Sequence, residues 1–291
     1  MKRNHSLGRI VAIAGNTLTE LSRLRVFYVL LLFALVLIAG SVFMARLSFQ
    51  QEFQILKDIS LGAISIFTSI LAIAASARLL PQDVEDRTVY TILARPVLRI
   101  EYLAGKLLGV LLLLAISTLV MGGLFFAVLY FREQSALAAA AHQTPGLPPE
   151  QIDEALRAVR AAGFRPDLLA ALGVIFIKAA VLASLTLFIS TFASSSIFTI
   201  VVAAFVYLIG HLQGTAREFW LQEQGAGWLT RVFLGCVALV FPDLQLFNFT
   251  DQVVAGAAIP TGLFAEAILL GCFYVVIYLL FSAAVFAKKE L

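Results

Sequence analysis

Two ionisable side chains stand inside long apolar runs, and these are the places where chemistry could be done. Lys178 lies about ten residues into the run Leu168 to Phe192, roughly 15 Å deep at the helical rise. A lysine at that depth costs about 2.5–3.5 kcal/mol on insertion scales, so it has to face protein or water. It can meet an anionic group of a transported molecule. It can equally be a structural group bonded to carbonyls and to hydroxyls such as Ser184. Glu266 lies about four residues into the run Gly262 to Ala287, roughly 6 Å deep and shallow enough to meet water, which favours a structural role. Together they are the candidates for a substrate path or a structural pair. Catalytic motifs are missing. Gly105-Lys106 is followed by Leu107, so there is no P-loop. There is no H-E-x-x-H, and His5, His142 and His211 lie far apart. There is no G-x-S-x-G elbow. Cys236 and Cys272 sit in apolar runs and read as small buried hydrophobes. Neither catalysis, nor a metal, nor a cofactor is expected of this chain.

The elements that hold these side chains follow from composition. Of the 291 residues 61% are hydrophobic and 13% charged, against about 45–50% and roughly 25% in a soluble domain. This excludes an ordinary cytosolic enzyme and a disordered chain. A net charge of +3 gives no support for a nucleic-acid partner. Six runs have the length of a transmembrane helix: 26–45, 59–80, 102–131, 168–192, 197–212 and 262–287. Sequences such as VLLLFALVLIAG do not alternate in polarity, so the spans are helices and not barrel strands. The stretch 228–241 is too short for a span, carries Arg231 and ends at Pro242, and reads as re-entrant or interfacial within an external segment 215–261. With six spans, twelve Lys/Arg fall on the side of the termini and eight on the other. The positive-inside rule then places both termini in the cytoplasm. The expected fold is an all-α polytopic membrane protein forming one transmembrane domain over 1–291. Ahead of the first span, within 1–25, Leu7, Ile10, Val11, Ala14, Leu18 and Leu21 form a stripe. That is an amphipathic helix for the inner membrane surface.

The cytoplasmic segment 81–101 is the most informative polar piece. Asp83, Glu85 and Asp86 come early, where a helix N-terminus favours negative charge. Arg87 and Thr88 follow. Val89, Ile92 and Leu93 then form an apolar stripe, Arg95 ends it, and Pro96 stops it. A helix this short is marginal on its own. It is either a connector resting on the membrane face or a docking element for a soluble partner. The external loop 132–166 contains helix start and stop signals between Pro148 and Gly163. They mark a small surface helix that touches lipid or a second subunit, or serves as a lid.

From Pro81 to Lys106 the chain resembles the first cytoplasmic loop of ABC-2 type transporter permeases. The matching residues are Glu85, Thr88, Leu93, Pro96, Gly105 and Lys106, and Arg87 stands where many members have Gly. The amphipathic N-terminal helix, six spans and a polar dip before the last span also fit that family. The resemblance implies a permease subunit of the bacterial inner membrane, working with a separate cytoplasmic ATPase in two copies and a second permease chain, identical or not. It makes Asp83, Glu85, Asp86, Arg87, Thr88, Val89, Ile92, Leu93, Arg95 and Pro96 a coupling helix that docks on the ATPase. It implies export or extracytoplasmic delivery of a substrate that the sequence does not identify. Two other classes stay open, a membrane scaffold that moves nothing and a secondary transporter driven by an ion gradient.

Overall fold

The computed structural model describes residues 3–46, 52–85, 97–142, 149–222, 228 and 242–288. Among them the regular elements are all helical: α1 (Arg3–Ser22), α2 (Arg25–Arg46), α3 (Glu52–Glu85), α4 (Arg99–His142), α5 (Pro149–Ala162), α6 (Asp167–Phe192), α7 (Ser196–Gln222), a 3-10 turn (Leu244–Phe247), α8 (Thr250–Val254) and α9 (Thr261–Lys288). Among the described residues five helices are long and apolar enough to cross a membrane, six if α1 and α2 count as one bent span. Lipid cannot satisfy backbone N–H and C=O groups, so helices that satisfy their own are the spanning solution open to such runs. The protein is a multi-pass helical membrane protein.

Several helices outrun their apolar cores. α4 extends from Arg99 to His142 and α3 passes through Pro81 to Glu85. A proline removes only one helical hydrogen bond, and the turn beyond it is held by tertiary contacts of Asp83. The acidic residues expected to open a new helix, Asp83 and Glu85, therefore lie in the last turn of α3. The re-entrant stretch 228–241 lies outside the described residues apart from Trp228, which is exposed.

α6 is the central element and packs against α3, α4, α7 and α9. Of its apolar span 72% is buried, against 28% for α7 and 17% for α9. Lys178 therefore sits on the most enclosed helix and Glu266 on the most open one. At the end of the bundle where α4 finishes, separate ties hold the connections. Lys57 Nζ donates to the carbonyl of Ala162 at 2.7 Å, closing the C-terminus of α5. Arg165 pairs with Asp167 at 3.1 Å and donates to the carbonyl of Gly256. Glu133 accepts the Phe164 N–H at 3.2 Å.

α1 meets α2 at 68° and lies along the first turns of α4. The contact is set by Gly105 and Gly109. A Cβ on Gly105 would stand 2.7 Å from Ile13 Cβ, and one on Gly109 would stand 2.7 Å from Thr17 Cβ and 2.8 Å from the Ala14 carbonyl. Small residues spaced by four let helices approach this closely. The approach also divides the expected apolar stripe of α1. Ala14 and Leu21 turn inward with Thr17, while Leu7 and Val11 stay 65% and 62% exposed. α1 thus has one face on α4 and a second apolar face free for lipid.

This contact leads to a prediction. Replacing Gly109 with Leu should cost about 1–3 kcal/mol through overpacking, a drop of roughly 2–10 °C in the melting midpoint of detergent-solubilised protein. Gly123→Ala, which meets nothing within 4 Å, should leave the midpoint unchanged. Equal midpoints for the two variants would remove the close α1–α4 contact.

Candidate functional site

At the end of the bundle where α3 finishes and α4 begins, charges are enclosed by helices. Asp83, in the last turn of α3, is 6% exposed, and Lys106, two turns into α4, is 3% exposed. Lys106 Nζ lies 2.7 Å from Asp83 Oδ2 and 3.5 Å from Glu20 Oε2 of α1. The Tyr102 hydroxyl donates to the same Asp83 oxygen, and its ring lies 5.9 Å from the Lys106 ammonium. A carboxylate in the last turn of a helix opposes the helix dipole, and Lys106 offsets it. One ammonium thus ties three helices together. Removing one partner of such a buried pair costs about 3–5 kcal/mol, because the other charge stays behind uncompensated.

The start of α4 adds two more ties. Glu101 accepts the Leu98 N–H at 3.2 Å, reaching back over the helix start, which is one half of a capping box. It also accepts the Ser6 hydroxyl at 2.5 Å and Arg9 at 3.3 Å, both from α1. Arg99 donates to the carbonyls of Phe286 and Ala287 at 2.6 and 2.8 Å. A cation on the last carbonyls of α9 is favourable for the same dipole reason. Its guanidinium also lies over the Phe286 ring, 5.8 Å from the centroid.

Of the expected docking residues, Asp83 points into this node and Glu85 is exposed beside it. Asp86, Arg87, Thr88, Val89, Ile92, Leu93, Arg95 and Pro96 lie outside the described residues. The two residues that flank that stretch, Glu85 and Val97, are each within a few positions of the node. Lys106 entered the sequence reading only as half of a Gly-Lys pair. Nothing in the sequence pairs Glu20, Tyr102, Glu101 or Arg99 with the partners they have in the structure. Glu101 lies 92 and 95 residues from Arg9 and Ser6, and Arg99 lies 187 and 188 residues from Phe286 and Ala287. Pairing over such separations has no local signature.

Lys178 and Glu266 are not brought together. Glu266 is exposed on α9. Lys178 is 2% exposed and donates to Ser65 Oγ of α3 at 2.5 Å. Ser184 is not its partner. It lies six residues further along α6 and donates to the Val181 carbonyl at 2.8 Å. Around Lys178 runs a file of polar groups. The Ser69 hydroxyl donates to the Ser65 carbonyl at 2.7 Å and lies beside the Tyr207 hydroxyl of α7. One turn on, His211 is within electrostatic range of both Lys178 and Asp243. Asp243 caps the 3-10 turn by accepting the Gln245 N–H at 3.1 Å, and the Gln245 side-chain amide donates to the His211 carbonyl at 2.9 Å. Gly210 makes room for this turn, since a Cβ there would lie 2.8 Å from the Pro242 carbonyl. Among the described residues no group of three His, Cys, Asp or Glu could hold a metal.

Residues 26–291 match the family described as "Protein of unknown function (DUF2705)". The match takes in α2 through α9 and leaves α1 outside it. No curated protein matches the chain.

The node is open to a direct test. Lys106→Met should destabilise the solubilised protein by about 3–5 kcal/mol. Adding Asp83→Asn should recover much of that loss, because only Glu20, whose carboxylate is partly exposed, is then left without the ammonium. Additive losses in the double variant would show that the two side chains do not act on each other.

Proposed function

The chain belongs to the DUF2705 family, and for this member we propose the role of membrane-spanning permease subunit in an ABC-2 type transporter. A separate cytoplasmic ATPase, two copies per complex, hydrolyses ATP. Two permease chains, identical or not, form the path in the bacterial inner membrane with their termini in the cytoplasm. The cargo is exported or delivered outside the cytoplasm.

One observation carries this reading. The described residues that flank the stretch 86–96 on either side belong to one group of charged ties. Asp83 lies three residues before it, and Arg99 and Glu101 lie three and five residues after it. Its sequence has a charged start and an apolar stripe. A segment with that pattern and rigid roots is what a soluble motor needs as a handle. Force on it enters α3 and α4 together, passes to α1 through Lys106 and Glu101, and reaches α9 through Arg99. α6, packed on α3 and α9, follows as part of a rigid-body rearrangement. The chain itself carries no nucleotide-binding motif, which fits a division of labour with an ATPase subunit.

The test is charge reversal at the handle. Glu85→Lys combined with Arg87→Glu should release a co-purifying ATPase, while the permease keeps its elution volume and melting midpoint. The purified permease alone should hydrolyse no ATP. An ATPase retained at unchanged stoichiometry would count against docking at this stretch.

A further inference from the structure

The polar groups around Lys178 do not balance as donors and acceptors. Its ammonium has three donors, and Ser65 takes one of them. On α7, His211 lies within electrostatic range of Lys178, and its Nδ1 is buried with no hydrogen-bond partner among the described residues. Unused lysine donors and an unpartnered imidazole nitrogen thus occur in one region between α3, α6 and α7. A bare anion would satisfy the lysine but can pair with that nitrogen in only one of the two tautomers. Water accepts from the lysine and pairs with either tautomer, and buried water typically makes about three hydrogen bonds to such groups. Most other hydroxyls in these helices are already satisfied by their own backbone. Thr68, Thr186 and Ser190 each donate to a carbonyl three or four residues earlier. Among the described hydroxyls of these helices Ser76, two turns beyond Ser69 on α3, is buried without such a bond.

We infer that this region is a hydrated site centred on Lys178 and reached by water from the end of the bundle that carries Asp243 and Gln245. The polar groups mark the route. Asp243 and Gln245 stand at the 3-10 turn, His211 and Tyr207 lie one and two turns further in along α7, and Ser69 and Ser65 lead to the ammonium. Toward the opposite end the route narrows between Ala72, Ala75 and Leu79 of α3, all buried, and ends at the buried Ser76 hydroxyl, which has no hydrogen-bond partner among the described residues. A positive charge fixed inside a water-filled recess attracts small anions over small cations. The inference does not rest on an ATPase partner and would hold for a scaffold or an ion-driven carrier alike.

The experiment uses thiols as water probes. In the full-length protein with Cys236→Ser and Cys272→Ser, Ser65→Cys and Ser69→Cys are introduced separately. Both are near-isosteric exchanges that keep Lys178. Sealed vesicles are treated with the impermeant anionic reagent 2-sulfonatoethyl methanethiosulfonate, or with its trimethylammonium counterpart. A thiolate attacks the reagent sulfur, forms a mixed disulfide and releases methanesulfinate, and this needs water to ionise the thiol. Arg160→Cys, exposed on α5, reports which vesicle face is the Asp243 end. Ser117→Cys, buried on α4 and bonded to its own helix, serves as a dry control.

The thiols introduced at positions 65 and 69 should react from the same face as the one at position 160. The anionic reagent should be faster by on the order of tenfold, and Lys178→Met should abolish that preference. Position 117 should stay unmodified. Absence of reaction at 65 and 69 from either face, while the denatured protein reacts fully, would overturn the hydrated site. Reaction only from the opposite face would overturn the route. Equal reaction at 117 would show general leakiness in place of a defined recess.

Discussion

The Lys106 ammonium sits between two carboxylates and against a phenol ring, with almost no access to water. Ions removed from water in this way gain little net stability from pairing, yet separating them is costly because each would be left bare. Such an interaction acts as a constraint more than as a glue. It permits one register of α1, α3 and α4 and strongly disfavours its neighbours. Everything else at this end of the bundle depends on that register. Gly105 and Gly109 can hold α1 at close range only when Glu20 reaches the ammonium. The Tyr102 hydroxyl finds Asp83 only when α3 continues past Pro81.

The two ends of the bundle are organised on different terms. Where α4 ends, the ties gather on the turn between α5 and α6: Lys57 to the Ala162 carbonyl, Glu133 to the Phe164 N–H and Arg165 to Gly256, with Arg165 and Glu133 both acting on the Lys57 charge. Where α4 begins, Arg99, Glu101 and Lys106 lie within about two turns of one another and reach α9, α1 and, at Asp83, α3. A displacement of α3 at this end drags α4, α1 and, through the carbonyls of Phe286 and Ala287, the last turn of α9. One end is thus tied at a turn between two helices, and the other through the first turns of a long helix that four helices share.

Much of the architecture is legible in the sequence because long apolar runs are a strong one-dimensional signal. The all-helical, multi-pass character of the chain needs no tertiary information. What the sequence hides is which face of a helix meets which neighbour. The stripe from Leu7 to Leu21 is a real helical stripe, but two glycines on α4 select Ala14 and Thr17 for contact and leave Leu7 and Val11 outside. Asp83 and Glu85 look like the opening of a helix because acids suit an N-terminus. In the structure they lie on α3, a helix already running from Glu52, and a lysine 23 residues after Asp83 offsets the buried carboxylate. Ser184 is near Lys178 along the chain but on another face of α6, whereas Ser65 is distant in sequence and adjacent in space. Of the ten residues assigned to docking, eight fall outside the described residues.

Polar residues inside the spans divide into two kinds, and the division bears on function. Thr68, Thr118, Ser117, Thr186 and Ser282 donate to carbonyls of their own helices. Such hydroxyls are satisfied locally and carry no information about paths or partners. Ser65 is different. Its hydroxyl takes the Lys178 donation from another helix, while its carbonyl accepts Ser69 and, at 3.2 Å, Thr68. It lies on the same continuous helix as Asp83, 18 residues or roughly 27 Å away at the helical rise. α3 therefore carries the hub at one end and the contact to the buried lysine at its middle, with no break between them. A helix is stiff over that length compared with a side-chain hydrogen bond. A tilt of α3 imposed at Asp83 must then appear at Ser65 as a shift against α6. The interaction most exposed to that shift is the Lys178–Ser65 hydrogen bond, which joins the buried charge of α6 to α3.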